Sequence, residues 1–83
     1  MAKKIIWTTA ARADVRAIDR ETAIHLLESL ARFLFTEEGD VKQLTGVDPP
    51  EYRLRIGAYR VRFYDLGDAI EILRVRPRDK AYR

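Results

Sequence analysis

The sequence predicts an α+β domain of order β-α-α-β-β-β, a helical hairpin packed on a mainly antiparallel sheet. Three observations predict it: a short apolar run opens the chain, two stretches of helical period follow with almost no loop between them, and strict alternation takes over from Tyr52 onward. With 83 residues, 47% of them hydrophobic and 35% charged, the chain is long enough for one core and too short for two. Residues 1–83 are therefore read as a single domain.

Lys3–Trp7 is short, apolar and β-prone, and Thr8 or Thr9 supplies an N-cap for a helix over Ala10–Ile18 with Ala11, Val15 and Ile18 on one face. Asp19 caps a second helix, Arg20–Phe35, whose Ala23, Ile24, Leu27, Leu30, Ala31 and Leu34 repeat as one broad apolar stripe. Glu37-Glu38-Gly39-Asp40 ends that helix, and Lys42 through Asp48-Pro49-Pro50 reads as an irregular connection. Tyr52–Ile56 and Tyr59–Tyr64 alternate around Gly57-Ala58, which fits a two-residue type II′ turn with glycine first. Asp65–Asp68 then turns the chain into a last strand, Ala69–Val75.

The formal charge of +3 conceals two unequal parts: residues 1–51 hold seven Lys/Arg against nine Asp/Glu, and residues 52–83 hold nine against four. Arginine makes up twelve of the sixteen basic residues, and arginine is the side chain suited to bidentate phosphate recognition, which points to a phosphate-bearing or acidic partner. The absence of cysteine excludes disulfides, a thiolate nucleophile and a cysteine-built zinc site. His25 is the single histidine, which excludes a histidine-cluster metal site, and its helical position opposite the apolar stripe makes it a solvated surface residue. No metal or other cofactor is expected. No run of about 18 apolar residues occurs, and the chain reads as cytoplasmic with no membrane partner.

Strand geometry concentrates the basic residues. With Gly57-Ala58 as the loop, Ile56 pairs with Tyr59, Arg55 lies opposite Arg60 and Arg53 opposite Arg62, while Tyr52, Leu54, Ile56, Tyr59, Val61 and Phe63 face the core. Like charges opposed on a sheet are unfavourable, so this face suits a bound polyanion, with Glu71 offering partial neutralisation in its absence. Strict alternation in the last strand puts Arg74 and Arg76 on the core side, so a bulge near Leu73 is expected to turn both outward. Beyond them Arg78, Lys80 and Tyr82 extend the basic surface, and a phenol beside guanidinium groups can stack on a base or move a proton.

The stretch Tyr52-Arg53-Leu54-Arg55-Ile56-Gly57-Ala58-Tyr59-Arg60-Val61 resembles the RelE/ParE superfamily of bacterial type II toxins. Trp7 with the alanine-rich first helix, Lys42-Gln43-Leu44-Thr45-Gly46, the strand Ile70–Val75 and the ending Arg76–Tyr82 follow in the family order. The resemblance implies a RelE-like fold, a cognate antitoxin, and, for RelE-like members, metal-independent mRNA cleavage in the ribosomal A site by attack of the 2′-hydroxyl on the adjacent phosphate. It places catalytic roles on Arg53, Arg55, Arg60, Arg76 and Tyr82, with Arg78 as a supporting phosphate contact. Arg62, Arg74 and Lys80 join them as phosphate-binding residues from their positions on the basic surface.

Two departures from the family pattern stand out. Pro77 occupies the place of a histidine found in other members, and arginine, with a pKa above about 12, is a poor general base, so proton removal falls to Tyr82 or to ribosomal RNA. The alternative activity within the superfamily is ParE-like inhibition of DNA gyrase by binding, without cleavage, and a third reading is a non-toxic member that serves its antitoxin complex. Trp7, Leu26, Phe33 and Phe35 lie at the stripe edges, where they either receive the antitoxin or fill the core.

Overall fold

The computed structural model describes residues 3–44, 46 and 48–77. Its elements run β1 (Lys4–Trp7), α1 (Thr9–Arg16), α2 (Arg20–Thr36), β2 (Asp40–Leu44), β3 (Glu51–Ile56), β4 (Tyr59–Asp65) and β5 (Ala69–Pro77). The strands form one sheet in the order β1-β5-β4-β3-β2, with β1 parallel to β5 and every other neighbour antiparallel. This is the expected α+β architecture with one strand more than the alternation announced.

That strand is β2, in the segment read as an irregular connection. Val41 pairs with Leu54 and Lys42 with Arg53 along the outer edge of the hairpin. Its Lys-Gln centre has little β-propensity of its own, so pairing with β3 rather than a local pattern makes it a strand. Gly39, just before it, lets the chain pass over the core, because a Cβ there would lie 3.0 Å from Leu54 and 3.1 Å from Phe33.

Both helix starts are side-chain capped. Asp19 accepts from the Thr22 N–H at 3.1 Å, and Thr8 Oγ1 accepts from the Ala11 N–H at 3.1 Å. Thr8 also donates to the Ile72 carbonyl at 2.7 Å, so one hydroxyl starts α1 and ties it to β5 where β1 stops pairing. Thr8→Ala removes both functions and is expected to cost about 1–2 kcal/mol, read as a lower urea midpoint with an unchanged slope.

The core lies between the helices and one sheet face. Ala11, Leu26, Leu30 and Leu34 meet Leu54, Val61, Phe63, Ile70, Ile72 and Val75, all nearly inaccessible to water. Within α2 the buried line is thus 26-30-34, and the expected stripe is rotated: Ile24 and Leu27 are 47% and 39% exposed. The helix is apolar around much of its girth, and the sheet selects which side it buries. Leu26 is therefore core, whereas Phe35, 78% exposed, stays at the surface.

Candidate functional site

The hairpin register is the expected one, with Ile56 opposite Tyr59, Arg55 opposite Arg60 and Arg53 opposite Arg62. Gly57 takes a φ of 56° at the first loop position while Ala58 keeps a negative φ, the requirement of a type II′ turn. Between β4 and β5 the pairing jumps from Phe63–Ile72 to Arg62–Arg74, leaving Leu73 as the extra residue. This bulge restores parity, so Val75 stays in the core and Arg76 lies opposite Arg60.

Two rows of charge consequently cross the outer face. Asp40, Arg55, Arg60 and Arg76 follow one another over β2, β3, β4 and β5, and Lys42, Arg53, Arg62 and Arg74 form the adjacent row. A concavity of about 140 Å³ opens between them, lined by Asp40, Lys42, Arg53, Arg55 and Arg60. Neighbouring strands are about 4.8 Å apart, a spacing that lets several guanidinium groups converge on one phosphate.

Three carboxylates organise these cations. Glu51, buried although charged, accepts from Arg62 Nε at 2.7 Å, diagonally across the β3–β4 pair. Asp40, well exposed, lies 4.0 Å from Arg55. Asp14 on α1 receives Arg74 through Nε at 2.8 Å and a second guanidinium nitrogen at 3.1 Å, and also accepts from the Val75 N–H at 2.9 Å. Burial pushes the Asp14 carboxyl up, but these hydrogen bonds and the charges of Arg74 and Arg76 outweigh it and hold the group below the ordinary carboxylate range. Glu71, expected to neutralise the face, lies opposite Tyr64, one row away from the arginines.

Arg53, Arg55, Arg60 and Arg76 are thus gathered on one surface, and Arg62 shares it as the partner of Glu51. The strand position of Arg74 is on this face too, yet its guanidinium is bound to Asp14 rather than directed to the concavity. Arg78, Lys80 and Tyr82 lie outside the described residues. Asp40 and Lys42 were missed with β2. Glu51 did carry a signal, since it sits two residues before Arg53 on the same face, whereas Asp14 is 60 positions from Arg74 and had none in the sequence.

Arg62→Ala leaves Glu51 as a buried carboxylate without its cation, a change expected to cost about 2–3 kcal/mol. Arg53→Ala, which strands no such group, is expected to cost under about 0.5 kcal/mol. Thermal melts of the two variants check the contrast, and equal midpoints would remove the assigned role of the Glu51 pair.

A family model described as the ParE toxin of type II toxin-antitoxin systems, parDE, matches residues 5–82. The chain belongs to the ParE toxin family. Among curated proteins no sequence match is found. Solved structures similar to this ParE-family chain include the archaeal RelE-RelB complex of Pyrococcus horikoshii OT3, with a TM-score of 0.74 at 24% identity over 94% of this chain and 97% of that one. The RelB-RelE antitoxin-toxin complex of Methanococcus jannaschii gives 0.73 at 20% identity, covering 93% of this chain and 94% of that one. The toxin-antitoxin complex RelBE2 of Mycobacterium tuberculosis gives 0.69 at 23% identity, covering 94% and 100%. The ParE-family chain is accordingly a toxin of the RelE/ParE superfamily with a RelE-like fold.

Proposed function

We propose that this toxin is a ribosome-dependent mRNA endonuclease held in check by a cognate antitoxin. The observation that carries the reading is the row Arg55-Arg60-Arg76, three arginines placed side by side across three strands, of which Arg55 and Arg60 line a concavity. A phosphodiester seated there meets cations where charge accumulates as the 2′-oxygen attacks phosphorus. The new O2′–P bond forms as the P–O5′ bond breaks, leaving a 2′,3′-cyclic phosphate and a 5′-hydroxyl. Asp40, which lines the same concavity, supplies a carboxylate to take the 2′-hydroxyl proton. With Asp40 taking the proton removal that the sequence left to Tyr82 or ribosomal RNA, Tyr82 serves in this reading to protonate the departing 5′-oxygen.

The partner reading rests on surface chemistry together with the three similar complexes. Ile24, Leu27 and Phe35 leave a second apolar line of α2 exposed, and Trp7, Val15 and Leu27 border a groove flanked by Arg12 and Arg16. An acidic amphipathic antitoxin segment matches that surface. The ParE family match favours a second reading, in which the same face inhibits DNA gyrase by binding alone.

Expression of the chain without an antitoxin separates the two. Cleavage predicts an immediate stop in protein synthesis with mRNA 5′ ends mapping to the ribosomal A site, abolished by Asp40→Asn. Growth arrest with intact mRNA and induced DNA-damage signalling establishes the gyrase reading instead.

A further inference from the structure

Cationic groups continue past the arginine row at the hairpin tip. A cleft of about 250 Å³ lies between the second half of α2 and the tip of the β3–β4 hairpin, and Arg55 lines both this cleft and the concavity on the outer face. From α2 it receives His25, Ser29 and Arg32, whose spacings of four and three residues put them on one side of the helix. The hairpin contributes Gly57, where an added Cβ would meet nothing within 4 Å, so the cleft stays open at the tip. Glu38 is the acidic member of the lining. Phe33, Leu54 and Ile56 supply the apolar part of the lining, and the polar part offers two guanidinium groups, an imidazole and a hydroxyl against one carboxylate, donors suited to the phosphate oxygens of a nucleotide.

Resting on the nuclease reading above, we propose that this cleft is a second phosphate subsite. It takes the backbone of the nucleotide next to the one held by Arg55, Arg60 and Arg76. Arg55 is the hinge between the two positions: a single-stranded RNA following the row from β5 to β3 turns over its guanidinium at the hairpin end of the sheet and continues along α2. Arg32 then neutralises the flanking phosphate, while Ser29 and His25 donate hydrogen bonds to it. The strand is thereby fixed on both sides of the turn, which sets the position of the reacting phosphate.

The test is fluorescence anisotropy of the full chain with labelled single-stranded RNA of two and of eight nucleotides, across a salt series. With the longer RNA, Arg32→Ala and His25→Ala are expected to weaken binding roughly threefold to tenfold, and Arg32→Ala to lower the salt slope by about 0.7, the loss of one phosphate contact. With the dinucleotide both variants match the unsubstituted chain. Arg20→Ala, an exposed charge on the same helix outside the cleft, serves as control and leaves both affinities unchanged. Equal affinity of variants and parent for the longer RNA overturns the subsite while leaving the nuclease reading intact. A loss of the same size on both lengths, or in the control, also overturns it, because the effect is then general charge or folding. Failure of the parent to bind the longer RNA more tightly than the dinucleotide overturns the subsite, and the absence of A-site cuts on programmed ribosomes overturns the nuclease reading and the subsite with it.

Discussion

Arg60→Ala is expected to lower the rate of mRNA cutting about 100-fold while the thermal midpoint stays within a few degrees of the parent. Arg60 has an arginine neighbour on both sides, Arg55 across β3 and Arg76 across β5, so it occupies the centre of the row. A donor at that place strengthens its contact as charge builds on the attacked phosphate, and losing one preorganised donor of this kind costs roughly 10²–10³ in kcat. Because the interaction is made mainly in the transition state, kcat falls more than KM rises. The measurement is the single-turnover yield of A-site cuts on programmed ribosomes, with a melting curve for each protein. A fully active Arg60→Ala protein removes the row from the mechanism, and a protein that binds ribosomes as before but was never a nuclease shows no cuts in either form.

How much of this was legible in advance depended on whether a feature is local. Gly57-Ala58 fixes the hairpin register, and from that register alone the pairs Arg53–Arg62 and Arg55–Arg60 follow. The Leu73 bulge was legible for a similar reason: without it, arginines would enter a core too small to hold them. By contrast β2 is an edge strand that owes its form to β3, and the face that α2 buries is chosen by a sheet whose shape no α2 residue encodes. Among the carboxylates that allow like charges to stand opposite one another, Glu51 was marked only by its place in the β3 alternation and Asp14 not at all. Glu51 and Asp14 act through contacts made only after the chain has closed, and a pair such as Asp14–Arg74 has no sequence period to betray it.

Asp14→Ala is expected to destabilise the fold by about 2–3 kcal/mol. β1 pairs with β5 only as far as Ile72, so beyond it the β1-facing side of β5 depends on α1, and Asp14 satisfies the Val75 N–H there while binding Arg74. Alanine leaves a buried-edge N–H without a partner and releases the strand segment that presents Arg76. For a domain of this size the loss corresponds to a midpoint lower by roughly 10 °C or more. Asn at the same position keeps an oxygen for the Val75 N–H but not the charge for Arg74, so Asp14→Asn falls between the two. Acid separates these contributions. The folded Asp14 carboxyl titrates below its unfolded value, so its contribution is complete above about pH 3.9 and fades as pH falls through the folded value. The stability gap between parent and Asp14→Asn is therefore constant from pH 5 to 8 and narrows in stronger acid. Asp65 keeps its own share in both proteins: the Gly67 N–H lowers its carboxyl, burial opposes this, and Lys3 lowers it further. Both proteins consequently weaken in acid while converging. Urea titrations at stepped pH read the gap directly, and a gap that persists undiminished to pH 2 removes the charged Asp14–Arg74 pair as its source.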